Sequence, residues 1–176
     1  MIKEVKYIAN SPNSYPFASA SRYIDLEALG YQEQEFFING TANVYRSVGN
    51  TGQVEIESKD VEYVNRIIVR SPIDPNKASG NVVVEIINPT SFMEIDRMWV
   101  LGYQKFIRDG DIYVGITSKP NTIAKLLEFN YERYKDLSWP NPKKGTPFPF
   151  TIEDVVKKGL IPDIDISYEP GLIWDM

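Results

Sequence analysis

The clearest feature of the hydrophobic pattern is a strand, a helix and a second strand in succession. Residues 81–87 read NVVVEII, a nearly continuous β-branched run that predicts a strand buried on both faces. Residues 92–109 carry an apolar stripe with helical spacing, and Gly110 stands where a helix would end. The stripe consists of Ile95, Met98, Trp99, Gly102 and Phe106. Residues 112–116 (IYVGI) predict another buried strand, so the pattern indicates a right-handed βαβ unit.

The N-terminal part of the chain predicts antiparallel strands. Residues 31–47 and 61–70 have strand-like composition, and Asn39-Gly40 inside the first of them is a favourable hairpin dipeptide. Residues 71–80 (SPIDPNKASG) predict a loop. The expected fold class is therefore α/β, with N-terminal antiparallel strands followed by the βαβ unit.

The length predicts a single domain over residues 1–176. Within it we expect antiparallel strands at 1–70, the βαβ unit at 81–117, and a loop-rich segment with short helices at 118–176. A short helix is predicted at residues 122–129, and the proline-rich stretch at 138–150 predicts a loop.

The absence of two residue types limits which catalytic and metal sites the chain can form. The 176 residues contain no His and no Cys. A Ser-His-Asp triad or a Cys-His dyad cannot be assembled from them, and zinc rarely accepts an all-oxygen site. Glu or Lys can still act as a base, so catalysis in general stays open. Asp154, Asp163 and Asp165 lack the spacing of a calcium loop, so we predict neither a metal nor a cofactor.

Charge and hydropathy narrow the classes of possible partner and the possible location. The net charge is -5, and no strongly basic cluster occurs, which argues against nucleic acid and anionic membranes. No apolar run reaches the roughly 18 residues of a membrane span. The N-terminus lacks the apolar stretch of a signal peptide. The sequence predicts a cytoplasmic location.

Four separated blocks resemble, in order, a family of esterase-like alpha/beta hydrolase domain proteins. The blocks are YPFASASRYIDLEALGYQEQEFFINGTANVY, RIIVRSPIDPNKASGNVVVEIINPT, GITSKPNTIAKLLEFNYERYKDLSWPNP and GLIWDM. The resemblance implies that the βαβ unit is the third strand, first helix and fourth strand of the hydrolase sheet. The nucleophile motif G-x-S-x-G would follow the next helix and strand, with the acid and His later still. No G-x-S-x-G occurs in the chain.

Two functions follow as hypotheses. The first is the N-terminal segment of an esterase-like hydrolase, truncated or split, which supplies part of the sheet but no catalytic residue and is inactive alone. The second is a stand-alone binding or interaction module for a carbohydrate or a peptide. Under the first hypothesis, the strand between Asn81 and Ile87 lacks its neighbour in the sheet, which is the strand that carries the nucleophile. Its edge would then bind the missing C-terminal segment or a second copy of the chain.

The resemblance also implies a place for an oxyanion hole. One donor in this fold is a backbone N–H just after the third strand. Pro89 has no N–H, so Thr90 or Ser91 would supply it. The alternative is that these residues cap a helix beginning at Phe92, and the two roles are compatible.

Three further residues are candidates for a pocket: Glu85, Asn88 and Trp139. Glu85 lies in an apolar strand, where a buried carboxylate could act as an acid or base. The more common role is a structural pair with a backbone group or with Arg66, Arg70 or Arg97. Trp139 could stack on a sugar, although ordinary packing is favoured.

Overall fold

A computed structural model describes residues 1–49, 52–89 and 93–139. The strands are β1 (Ile2–Ile8), β2 (Tyr31–Ser47), β3 (Val54–Pro72), β4 (Val82–Ile86) and β5 (Ile112–Ile116). The helices are α1 (Arg97–Asp109), α2 (Pro120–Phe129) and α3 (Tyr131–Tyr134). Single 3-10 turns lie at Ala20–Arg22 and Pro75–Lys77. Among these described helices, none has the length and apolar character that crossing a bilayer requires.

The strands form one mixed sheet in the order β1-β2-β3-β5-β4. β5 runs antiparallel to β3, with Arg70 opposite Tyr113. It runs parallel to β4, with Val82 opposite Ile112 and Ile86 opposite Ile116. Since α1 connects the parallel pair, the predicted βαβ unit and the α/β fold class are confirmed.

The described chain divides into two compact units, and β2 and β3 each contribute to both. The first unit comprises Met1–Val5, Ile38–Asn65 and the described residues from Lys119 to Trp139. The second comprises Lys6–Phe37 and Arg66–Ser118. The whole βαβ unit therefore lies in the second unit. The single domain expected over the full length stays a prediction.

The expectation that β4 is buried on both faces is wrong. Val82, Val84 and Ile86 are 54%, 58% and 67% exposed. Val83 packs against the core, and Glu85 is buried. A β-branched run indicates a strand, but burial depends on the neighbouring elements. β4 is the last strand of the described sheet, and its inward residues alone meet the α1 side.

The predicted turn at Asn39-Gly40 is also wrong, because β2 continues through it. The chain reverses after β2, where the Val48 N–H donates to the Gln53 carbonyl at 2.9 Å. Gly40 has a different role. A Cβ there would lie 2.6 Å from the Met1 carbonyl oxygen and 2.9 Å from the Tyr63 hydroxyl. Glycine is required at this position for close backbone approach.

Helix α1 begins at Arg97, five residues later than the apolar stripe predicts. Trp99 and Phe106 are buried as expected, but Met98 is 53% exposed. Gly110 ends the helix in the left-handed conformation (φ 77°), which confirms the predicted stop. The short helix expected at 122–129 is present as α2, which starts at Pro120 because proline suits the first turn.

Each unit has its own apolar core. In the second unit, aromatic side chains of α1 and β5 pack closely, with the Trp99 and Tyr113 ring centroids 5.3 Å apart. Its buried members are Ala20, Leu26, Tyr31, Trp99, Phe106 and Tyr113. The core of the first unit contains Ala42, Val44 and Tyr63. The aromatic cluster stabilises α1 against the sheet.

Two glycines with positive φ allow a matched test of the turn after α1. A Cβ on Gly110 would lie 2.2 Å from the Lys77 carbonyl oxygen, whereas a Cβ on Gly30 (φ 74°) meets open space. We expect Gly30→Ala to cost about 1–2 kcal/mol, the penalty of left-handed backbone. Gly110→Ala should cost roughly 1–3 kcal/mol more, because the backbone must shift. Equal losses in urea unfolding would contradict the close approach at Gly110.

Candidate functional site

The chain that leaves β4 folds back on itself before α1 starts. The Asn88 N–H donates to the Ile95 carbonyl at 3.1 Å, and the Ile95 N–H donates to the Asn88 carbonyl at 3.0 Å. Just before this pair, the Ser118 hydroxyl donates to the Ile87 carbonyl at 3.1 Å. We call residues 87–96 the β4–α1 segment. Its two ends are therefore fixed next to the carboxyl end of β4.

A completely buried arginine of β3, Arg66, contacts this segment. Its Nε pairs with Glu35 of β2, and its Nη1 pairs with Glu94 of the β4–α1 segment. Its Nη2 donates to the Phe17 carbonyl at 2.6 Å. One guanidinium thus joins three parts of the second unit that are distant in sequence.

Arg70, four residues further along β3, makes the same set of contacts as Arg66. Its Nε lies 2.7 Å from Glu33 of β2, and its Nη1 lies 2.6 Å from Asp96 of the β4–α1 segment. Its Nη2 donates to the Ala18 carbonyl at 2.9 Å. The guanidinium also lies 4.5 Å from the centre of the Trp99 ring, where cation–π attraction adds to the ion pairs.

The repeat follows from strand periodicity. Successive side chains of a strand point to opposite faces, so residues two or four apart share one face. Arg66 with Arg70 on β3 and Glu33 with Glu35 on β2 are two such pairs, and they meet Glu94 and Asp96 of the β4–α1 segment. We call these six side chains the buried ion network. Sequence reasoning missed the network as a unit. Charged residues spaced two apart in β2 and four apart in β3 were the signal that could have revealed its strand members.

The buried ion network holds more acid than base. Four carboxylates face two guanidiniums, and all six side chains are almost fully buried. Burial raises the pKa of Glu94, Arg66 and the Thr117 hydroxyl oppose that shift, and the charges of Glu35 and Asp96 add to it. Burial likewise raises the pKa of Asp96, against the opposing effect of Arg70. Protonation of Glu94 therefore relieves an excess of buried negative charge.

Glu85 fixes the beginning of α1. Both of its carboxylate oxygens lie 3.1 Å from the Met98 backbone nitrogen, a free N–H donor of the first helical turn. The Tyr113 hydroxyl donates to the same carboxylate at 2.6 Å. Burial, followed by the hydrogen bond and charge of Glu85, raises the pKa of Tyr113. Of the expected partners, the backbone group is therefore the one observed.

The two oxyanion candidates, Thr90 and Ser91, lie outside the described residues, and their role stays a prediction. The alternative that they cap a helix beginning at Phe92 is wrong. Asp96 is the residue before α1, and the described residues 93–96 are not helical. The inward side chains of Glu94 and Asp96, together with the Asn88–Ile95 pair, hold these residues outside the helix.

The remaining candidates fall in different units. Asn88 belongs to the second unit, where its backbone pairs with Ile95. Trp139 belongs to the first unit, after Ser138, whose backbone pairs with Val64. The Trp139 indole nitrogen is buried and has no hydrogen-bond partner among the described residues. A pocket role for any of the three candidates stays a prediction.

Metal ligation has no support in the described ranges. No group of three or more His, Cys, Asp or Glu side chains is placed to hold an ion in residues 1–49, 52–89 and 93–139. The aspartates weighed for a cation, Asp154, Asp163 and Asp165, lie outside these ranges.

A comparison with protein-family models decides the family. The model described as alpha/beta hydrolase domain matches residues 4–176. The chain belongs to this family. No curated protein and no solved structure matches it. The mixed five-stranded sheet of this hydrolase-family chain, with its parallel β4–α1–β5 unit, is consistent with an alpha/beta hydrolase-like fold.

The raised pKa of Glu94 predicts a specific pH dependence of stability. Between its usual value of 4.5 and its higher folded value, the folded chain binds more protons than the unfolded chain. The free energy of unfolding therefore falls as pH rises through this window. Glu94→Gln cannot titrate, so its unfolding free energy relative to wild type should rise with pH there.

The measurement is urea unfolding between about pH 4 and pH 8. Glu62→Gln is the control, because it removes the same charge from a side chain that is 79% exposed. A difference between Glu94→Gln and wild type that stays constant over this range would contradict the raised pKa.

Proposed function

We propose that this chain supplies the sheet and the oxyanion-hole segment of an esterase-type α/β-hydrolase. A backbone N–H of Thr90 or Ser91 serves as one donor to the oxyanion. The serine nucleophile and the histidine come from sequence outside these 176 residues, so the chain alone is inactive. A cytoplasmic location also stays a prediction.

The observation that carries this proposal is that both described ends of the β4–α1 segment are fixed. In open α/β sheets, ligands bind beyond the carboxyl ends of the parallel strands, and this segment leaves β4 at that end. Residues that flank Thr90 and Ser91 are tied down, through the Asn88–Ile95 pair and through Glu94. Oxyanion stabilisation needs donors that are already in place before charge develops.

The composition supports the second part of the proposal. The chain contains no His, no Cys and no G-x-S-x-G. Without an imidazole no group of the usual kind accepts the serine proton and returns it to the leaving group. Glu85, the buried acid weighed as an acid or base, is held by hydrogen bonds with Met98 and Tyr113. These contacts support a structural role for Glu85.

Proline substitution in the complete hydrolase tests the donor. There, this chain is joined to the segment that carries G-x-S-x-G. Thr90→Pro or Ser91→Pro should lower kcat by about a hundredfold, because one of them removes the donor N–H. Thr90→Ala and Ser91→Ala keep that N–H and should retain activity within about tenfold.

The readouts are ester turnover and labelling with a fluorophosphonate. We expect labelling of a serine in the complete hydrolase and none in the 176-residue chain. Stoichiometric labelling of a serine in the chain alone would contradict the proposal. Full activity in both folded Pro variants would show that neither residue is the donor.

The edge of β4 is the place where we expect the remaining hydrolase segment to bind. Among the described strands, β4 pairs with β5 alone. Its outward face carries Val82, Val84 and Ile86, all more than half exposed, and its single charge, Glu85, is turned inward. Such an edge lacks the charges that usually prevent strand addition.

We therefore expect the isolated chain to self-associate through this edge. Size-exclusion chromatography should show species larger than a monomer, and Val84→Lys, which places a charge on the exposed face, should restore the monomer. Val100→Lys is a control, because Val100 is similarly exposed (60%) but lies on α1. A monomer whose Val82–Ile86 amides are fully protected from hydrogen exchange would instead favour a stand-alone binding module.

A further inference from the structure

A cavity of about 270 Å³ lies within the second unit, between residues 18–24 and the start of α1. Its apolar wall is formed by Ala18, Ala20, Ile24 and Val100. Tyr23 also lines the cavity and is 90% exposed, so the cavity opens to solvent on that side. An apolar cavity of roughly 150 Å³ holds a molecule of the size of benzene, so the volume here is sufficient for a small ligand.

One carboxylate, that of Asp96, lines this mainly apolar cavity. Its Oδ2 lies 2.6 Å from Nη1 of Arg70, and its side chain keeps 11% of its surface exposed. The hydroxyl of Ser19, which also lines the cavity, already donates to Glu33 at 2.8 Å. Asp96 is therefore the charged group that a ligand in the cavity meets.

The charge around Asp96 is negative. Arg70 supplies one positive charge, whereas Asp96, Glu33 and Glu85 supply three negative charges. Burial raises the pKa of Asp96, Arg70 opposes this shift, and the charge of Glu85 adds to it. A cation bound in the cavity would lie beside the carboxylate and offset the excess negative charge.

Aromatic rings form the rest of the lining. Trp99 and Tyr103 of α1 have ring centroids 6.1 Å apart, and both line the cavity together with Tyr23. The faces of aromatic rings carry negative charge density and attract cations. One cation, the guanidinium of Arg70, already lies 4.5 Å from the centre of the Trp99 ring. An apolar wall, aromatic rings and one carboxylate together suit a cation that carries a hydrocarbon chain.

We propose that this cavity binds a small primary alkylammonium ion. The ammonium group donates to the carboxylate of Asp96, and the alkyl chain lies against the apolar wall. This inference goes beyond the proposed hydrolase function and needs no residue outside the described ranges. A neutral alcohol of the same shape would fill the same space but leave the negative charge unopposed. Charge is therefore the property that the site selects.

An NMR titration of the 176-residue chain with n-butylammonium and with 1-butanol tests this selection. The two probes share the same hydrocarbon chain and differ in charge. An alkylammonium resembles the Lys side chain, whose pKa is about 10.4, so it is protonated at about pH 8. We expect butylammonium to shift the resonances of Trp99 and Tyr103 and to bind about tenfold more tightly than 1-butanol. Equal affinities, or shifts that spare both residues, would overturn the inference.

Asp96→Asn removes the charge and keeps the shape of the side chain. It should weaken butylammonium binding by about tenfold and leave 1-butanol binding unchanged. Asp109→Asn is the matched control, because Asp109 lies at the other end of α1, outside both the cavity and the buried ion network. An equal loss in the two variants would reveal attraction to net charge alone and would contradict the inference.

A second pair of variants tests the location and leaves the buried ion network intact. Val100→Phe enlarges a wall residue that is 60% exposed, so the fold tolerates the change while the cavity is partly filled. Leu101→Phe is the control, because Leu101 is the next residue of α1, is 82% exposed and does not line the cavity. Val100→Phe should weaken butylammonium binding by about tenfold, and Leu101→Phe should not. Unchanged binding in Val100→Phe would place the ion elsewhere and refute the proposed site.

Discussion

Two arginines that are completely buried on β3 are the constraint on which the second unit depends. A buried guanidinium is stable only with partners for its N–H groups. Arg66 and Arg70 each find two carboxylates and one carbonyl. Removal of one partner from a buried pair typically costs roughly 3–5 kcal/mol. The parts of the chain that supply these partners must therefore lie next to the two arginines in the folded chain.

The need to pair the buried arginines explains the conformation of the chain just before α1. An apolar stripe would allow a helix from residue 92, but the carboxylates of Glu94 and Asp96 are drawn inward to the arginines. The helix starts only after these contacts are made, and Glu85 supplies the acceptor for its first turn. The same residues that satisfy buried charge thus determine where the helix begins. The same contacts hold Glu94 and Asp96, which follow the proposed oxyanion donors in the chain.

One face of β4 is apolar and exposed among the described residues. In the described sheet β4 is the last strand, and it pairs with β5 in parallel. The proposed function places the strand that carries the nucleophile beside β4. Side chains of a strand stand perpendicular to the sheet, so the exposure of Val82, Val84 and Ile86 leaves an apolar patch on one face of the described sheet.

The sequence alone determined the βαβ unit, because β-branched runs, an apolar helical stripe and Gly110 are local signals. It also excluded a Ser-His-Asp triad and a Cys-His dyad within these 176 residues, since a residue type that is absent cannot be supplied by folding. It left open whether Glu85 pairs with an arginine or with the backbone.

Only the tertiary structure decided the start of α1, the exposure of β4, the role of Gly40 and the partners of the buried charges. Gly40 has the sequence context of a turn, and only the approach of Met1 and Tyr63 shows why glycine is there. Arg66 meets Glu35 and Glu94 across 31 and 28 residues. Such pairs have no local signal, because strand order and register set which charges meet, and these depend on the whole fold.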